Sequence, residues 1–135
     1  MRILLDTTVL IHLLKGDSAA IARIDKLKNE GNLLYTTTVN IYEYLKGIET
    51  LNTSAKIRNR NALKVLLSGL TVMVIDILAS EKSAEIYANL RKKGITIDEG
   101  DYLIAGTALS NGIFTIVTRN EKHFGKIDEI EVLTY

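Results

Sequence analysis

The chain has 135 residues, 47% of them hydrophobic and 24% charged, a balance that places it among ordinary globular proteins and argues against disorder. Its 17 basic residues offset 16 acidic ones, so net charge does not by itself announce a nucleic-acid partner. Zero cysteines exclude disulfides, thiolate metal sites and a cysteine nucleophile, and are compatible with a reducing compartment.

Only three apolar residues separate Met1-Arg2 from Asp6, which leaves no core for a signal peptide, and no apolar run approaches the roughly 20 residues of a membrane span. One cytoplasmic domain over residues 1–135, with no membrane partner, is the expectation. The first element, residues 2–6, reads as a buried strand, because Ile3-Leu4-Leu5 is a short apolar run bounded by polar residues. Asp6 closes it, at the end where open α/β sheets place their ligands. A short helix over 9–14 follows, ended by the Lys15-Gly16-Asp17 turn. A second, over 19–29, has Ser18 as its expected cap and Gly31 just past its end.

Residues 33–36 read as the next strand. Thr38 is the expected cap of a helix over 39–48, and Ser54 of another ending near Ser68 and Gly69. The strongly apolar segment 70–76 is a third strand; Ser80 begins a helix that runs to 93 and stops at Gly94. Asp98 opens a helix over 99–111, terminated by Gly112, and strands over 114–117 and 131–133 complete the chain. Alternating helices and nearly unbroken apolar strands argue for an α/β fold: a central, mainly parallel sheet of about five strands flanked by helices on both faces. The lack of proline, linker composition or repeats fits one compact unit.

On this scheme Asp6, Glu43, Asp101 and Asn120 fall at strand ends or in the first turns of adjoining helices, where their oxygens can converge. Converging carboxylates repel one another unless a cation joins them, and hard oxygen donors suit Mg²⁺ or Mn²⁺. Such an ion can orient and acidify a water for attack on a phosphodiester, and a second one roughly 3.5–4 Å away can stabilise the leaving oxygen. Metal-assisted hydrolysis is the reaction implied.

Each residue also has a plainer role available. Asp6 can end a strand or cap a helix; Glu43 can sit on a helix surface, although Tyr42, Tyr44 and Leu45 flank it. Asp98 and Asp101 resemble a variant capping box, and Asn120 suits a turn. The basic groups Lys56, Arg58, Arg60 and Lys64, then Arg91, Lys92 and Lys93, are candidates for RNA phosphate contacts and equally for solvated helix faces. His12 and His123 as a metal-free acid–base pair are disfavoured, and packing or surface roles are assigned to them. Position 8 is Thr, so the Asp-x-Asp signature of phosphoaspartate chemistry is absent, as are phosphate-binding glycine loops.

The segments Leu5-Asp6-Thr7-Thr8-Val9-Leu10-Ile11, Thr38-Val39-Asn40-Ile41-Tyr42-Glu43-Tyr44, Asp101-Tyr102-Leu103-Ile104-Ala105-Gly106-Thr107-Ala108 and Val117-Thr118-Arg119-Asn120-Glu121-Lys122-His123-Phe124, taken in order, resemble the PIN domain. More narrowly they are similar to the VapC toxins of type II toxin–antitoxin modules. The resemblance implies an endoribonuclease dependent on Mg²⁺ or Mn²⁺, held inactive by a VapB-like antitoxin and commonly a homodimer. It matches Asp6 and Asp101 to the principal metal-binding aspartates, Glu43 to the acidic residue of the second helix region, and Thr8 and Thr118 to supporting hydroxyls. Asn120 falls where many members carry a fourth aspartate. Its neutral carbonyl removes one negative charge, so a single ion at rest is expected.

The alternative is a noncatalytic PIN-like module that binds RNA or protein. Apolar helix positions around Ile41, Leu45, Ile48, Leu63, Leu66 and Leu67 would then face a partner helix or a second subunit, although core packing is the commoner use.

Overall fold

A computed structural model describes residues 1–135. The chain runs β1 (Arg2–Leu5), α1 (Thr7–Leu14), α2 (Ser18–Asn29), β2 (Leu33–Thr37), α3 (Thr38–Ile48), α4 (Thr53–Leu67), β3 (Thr71–Met73), α5 (Ile77–Lys92), α6 (Glu99–Ser110), β4 (Thr115–Val117), α7 (Glu121–Phe124) and β5 (Glu131–Leu133). The five strands form one sheet in the order β3-β2-β1-β4-β5, and every pair is parallel. The expected five-stranded α/β architecture is what the chain adopts, and no helix is long and apolar enough to cross a membrane.

The apolar run after Arg2 becomes the central strand because both its faces are covered. Leu4 joins Ile116 and residues of α3, α5 and α6 in the larger core, whereas Ile3 and Leu5 point the other way, against Val9, Leu10, Ile24 and Leu27 of α1 and α2. All three strand residues are fully buried. Burying each such side chain stabilises the fold by roughly 1.5–3 kcal/mol, so β1 anchors both layers. A third, smaller cluster of Tyr44, Ile48 and Leu63 joins α3 to α4, with Ile11 and Leu14 of α1 beside it.

Boundaries differ from the sequence expectation for identifiable reasons. The third strand ends at Met73, not at 76, because its only ladder partner, β2, stops opposite it at Thr37. Freed from the sheet, Asp76 turns back to accept a hydrogen bond from the Ala79 amide (2.9 Å), and α5 begins at Ile77 instead of Ser80. The caps likewise lie upstream of the expected residues. Asp17 takes the place of Ser18, Thr37 that of Thr38 and Asn52 that of Ser54, each accepting a backbone amide of the first turn. The segment between β4 and β5, for which the sequence pattern predicts no element, contains the one-turn helix α7, pinned by Phe124 at 1% exposure.

Helix α6 is buried over most of its surface, from Tyr102 through Leu109, and packs along α5. Their close approach depends on Gly106: a Cβ there would lie 2.7 Å from the Ser83 backbone nitrogen and 2.8 Å from its Cα, as well as against the Ser83 hydroxyl. Backbone atoms cannot step aside as a flexible side chain would. We expect Gly106→Ala to lower stability by about 1–3 kcal/mol despite alanine's better helix propensity, measured by urea-induced unfolding. An unchanged midpoint would show that the two helices tolerate separation.

Candidate active site

The strand order makes β1 the point at which the sheet stops growing in one direction and resumes in the other, and ligand crevices form outside the carboxyl ends at such a point. Asp6 stands there. Its backbone N–H donates to the Val117 carbonyl (3.0 Å), prolonging the β1–β4 ladder by one residue and fixing where the side chain emerges. Asp6 is buried, at 5% exposure. Its Oδ2 accepts from the Thr118 hydroxyl (2.8 Å) and more weakly from Thr8 (3.4 Å), while Oδ1 accepts from the Asn40 amide (3.3 Å). Burial pushes the Asp6 carboxyl above its ordinary pKa; the Thr118 bond opposes that rise and the negative charge of Glu43 adds to it.

Asn40 is fully buried and was not singled out in the sequence. Its backbone amide donates to the Thr37 hydroxyl (3.2 Å), and its side-chain oxygen accepts from the Thr37 amide (3.2 Å) and hydroxyl (2.6 Å), which forms a capping box. That leaves its amide group free to donate to both Asp6 and the Thr7 hydroxyl (3.0 Å). Thr7 in turn donates to Glu43 Oε1 (2.5 Å). A helix cap thus links Asp6 to Glu43. The Thr37-x-x-Asn40 spacing, a polar relative of the usual capping box, was the signal that could have found it.

Glu43 is half-buried and reaches across to the first turn of α6. A Cβ at Gly100 would lie 2.6 Å from Glu43 Oε2, so the missing side chain makes room for the carboxylate. Next to Gly100 is Asp101, whose side chain is 14% exposed. Burial, with smaller contributions from the charges of Asp6 and Asp98, pushes its carboxyl up to about 6, against the downward pull of His123. Three sequence-predicted acids are therefore gathered in one electrostatic unit: Asp6 senses Glu43, and Asp101 senses Asp6.

His123 corrects the sequence reading, which gave it a packing or surface role. Its Nδ1 lies 2.5 Å from Asp101 Oδ2 and 3.8 Å from Asp98 Oδ2. His12 has a different partner, the Tyr135 hydroxyl (2.7 Å), and the two histidines form no pair. Thr8 and Thr118 lie 3.3 Å apart beside Asp6. Asn120 is exposed; its backbone N–H donates to Thr118 Oγ1 (3.1 Å), and its side chain forms no hydrogen bond with the cluster.

The basic groups divide. Lys56 and Arg60 pair with Glu49 (2.9 and 2.8 Å), Lys93 pairs with Asp128 (3.0 Å), and Arg91 donates to the Tyr87 hydroxyl (2.9 Å). Arg58, Lys64 and Lys92 are exposed and form no ion pair.

The PIN domain family model matches residues 3–130. The chain belongs to the PIN domain family. This PIN domain is 30% identical over 135 residues to Ribonuclease VapC1 of Rickettsia felis, covering 99% of this chain and 96% of that protein. It is 28% identical over 127 residues to the tRNA(fMet)-specific endonuclease VapC of Shigella flexneri, covering 94% and 92%. The crystal structure of DNA-bound VapBC from Salmonella typhimurium superposes with a TM-score of 0.86 at 26% identity, over 99% of this chain and 98% of that one.

The donors of this PIN domain fit a hard divalent cation. Three carboxylates crowd the crevice, and the two that are raised by burial are raised further by neighbouring negative charge, a repulsion that a cation relieves. Without an ion the arrangement carries a cost with a definite pH signature. An acid whose pKa rises from 3.8 to about 6 on folding stabilises the fold fully below pH 4 and loses that contribution as pH rises through 6. In chelator, Asp101→Asn should therefore exceed the wild type in stability by about 1–2 kcal/mol at pH 7.5, allowing for solvent screening, and match it near pH 4, by thermal melting. A difference that does not change with pH would contradict the assigned cause.

Proposed function

We propose that this chain is an endoribonuclease toxin of a type II toxin–antitoxin pair, cutting RNA phosphodiester bonds with Mg²⁺ or Mn²⁺ under restraint by a VapB-like antitoxin. The observation that carries the reading is the gathering of Asp6, Glu43 and Asp101 beside the carboxyl end of the central strand: Asn40 and Thr7 tie Asp6 to Glu43 by hydrogen bonds, and Asp101 lies close enough to feel the charge of Asp6. Kinship with proteins named ribonuclease VapC supports the substrate class, and the Shigella relative's name points toward structured RNA such as transfer RNA. The likeness to a VapBC assembly supports the antitoxin. A homodimer in the cytoplasm is the working assembly we propose.

Asp6 and Asp101 are the carboxylates that hold the ion, and Glu43 supplies the third. The bound ion supplies the chemistry that acidifies an attacking water and neutralises phosphate charge. Thr118, Thr8 and Asn40 keep the Asp6 oxygens aimed, and Thr7 does the same for Glu43. Asn120 stands exposed at the rim with a neutral amide, which favours one ion at rest and a contact with incoming RNA. Arg58 and Lys64 of α4 and Lys92 of α5, which have no ion pair, are stronger candidates for phosphate contacts than Lys56, Arg60 or Lys93, whose charges are paired with Glu49 or Asp128; Arg91 keeps its full charge while donating to the Tyr87 hydroxyl.

The binding-module alternative loses its main support in the apolar faces. Ile48 and Leu63 are buried between α3 and α4, and Ile41, Leu45 and Leu67 pack against them. Purified antitoxin-free protein should cleave transfer, ribosomal or messenger RNA when Mg²⁺ or Mn²⁺ is supplied. Asp6→Asn and Asp101→Asn should each reduce the rate by at least about 100-fold with unchanged circular dichroism. Cleavage that persists in excess chelator would overturn the metal mechanism. Tight RNA binding without products, insensitive to both substitutions, would establish the noncatalytic module instead.

A further inference from the structure

Asp101 has a partner that an acidic metal cluster does not require. His123 is held by α7, whose Phe124 is locked in the core at 1% exposure, so the imidazole is placed by the fold and not by a loose surface segment. Its Nδ1 faces Asp101 Oδ2 at 2.5 Å and Asp98 Oδ2 at 3.8 Å, and one donor atom from each of the three residues lies within 4.8 Å of the others. The ring makes no other protein hydrogen bond. In an octahedral complex with bonds of about 2.1 Å, neighbouring ligand atoms sit about 3 Å apart. The Asp101–His123 pair needs only a slight opening to become two adjacent ligands of one ion.

That donor set differs in kind from carboxylates alone. Mg²⁺ is held by oxygen and keeps its waters, whereas Mn²⁺ stands above it in affinity for a site that offers an imidazole nitrogen. Asp98 supports the same placement. It occupies the N-cap position of α6 yet caps no amide, and its carboxylate is turned toward His123.

We propose that His123 is a nitrogen ligand to the divalent ion held by Asp101 and that it biases the site toward Mn²⁺ over Mg²⁺. The inference rests on the reading of Asp101 as a metal-binding carboxylate and deepens it. Were His123 only a positioning residue that orients Asp101 by hydrogen bonding, its loss would weaken both ions alike and no nitrogen would touch the metal.

The test uses the full-length chain stripped of metal and loaded with substoichiometric Mn²⁺. Electron spin echo spectra should show ¹⁴N modulation that converts to the ¹⁵N pattern when histidine is isotopically labelled, and that disappears in His123→Asn. Titration followed by the signal of free Mn²⁺ should give a dissociation constant about tenfold weaker in His123→Asn, while the constant for Mg²⁺, from competition, changes by less than about twofold. The spectrum of the labelled wild type decides the matter even if the variant folds poorly. Mn²⁺ bound in a manner abolished by Asp101→Asn but without nitrogen modulation would overturn the role of His123 and leave the nuclease reading intact. Equal weakening of the two ions would likewise overturn it. Failure of the wild type to bind Mn²⁺ at all would bring down the metal reading of the site together with this inference.

Discussion

A carboxylate buried at the end of the central strand must be hydrogen-bonded or cost the fold several kcal/mol, and that requirement governs how the rest of this structure is arranged. Asp6 at 5% exposure meets it with donors from three separate places: Thr118 just beyond β4, Asn40 in the first turn of α3, and Thr8 in α1. Thr8 is local, two residues on from Asp6, but Thr118 and Asn40 are distant in the sequence. Those two reach Asp6 because β2 and β4 flank β1 in parallel, so that the ends of all three strands open on the same side. The topology and the site are thus one solution to one problem.

The same arrangement concentrates instability where chemistry is expected. Burial and mutual repulsion raise the carboxyls of Asp6 and Asp101 together, and an apolar or amide side chain would be easier to accommodate at neutral pH. The two flanking cores offset this cost. Ile3, Leu4 and Leu5 lead into Asp6 with no exposed surface, so the strand that carries the unfavourable group is also the one most firmly held.

The sequence displayed the strands and the acids far more clearly than the links between them. Ile3-Leu4-Leu5 is a run whose burial on both faces follows from its composition, and Glu131–Leu133 emerged with the expected bounds. The end of β3 was illegible because it is set by where β2 stops, a property of the partner strand and not of Val74 or Ile75. Asn40 was overlooked because a polar residue between Val39 and Ile41 reads as one more helical position until Thr37 is seen to cap with it. His123 escaped for a related reason: a single turn of helix is too short to show a period, so nothing in the segment tells that its histidine turns inward to Asp101.

The two aspartates differ in how tightly they are held, and the difference suits a division of labour. Asp6 is gripped at both oxygens by three donors, none of which carries charge. Asp101 has one strong partner, the His123 imidazole, and a carboxyl pushed up to about 6. A group fixed from both sides sets a position; a group with one exchangeable bond adapts to what arrives there. In the proposed nuclease Asp6 therefore acts as the fixed reference of the cluster, and Asp101 as the member that trades its hydrogen bond for a ligand. Glu43, tied to Thr7 on one oxygen and lying over Gly100 with the other, spans the two. A Cβ at Gly100 would claim the space that Glu43 Oε2 occupies, so the carboxylate would have to swing away from its place beside Asp101.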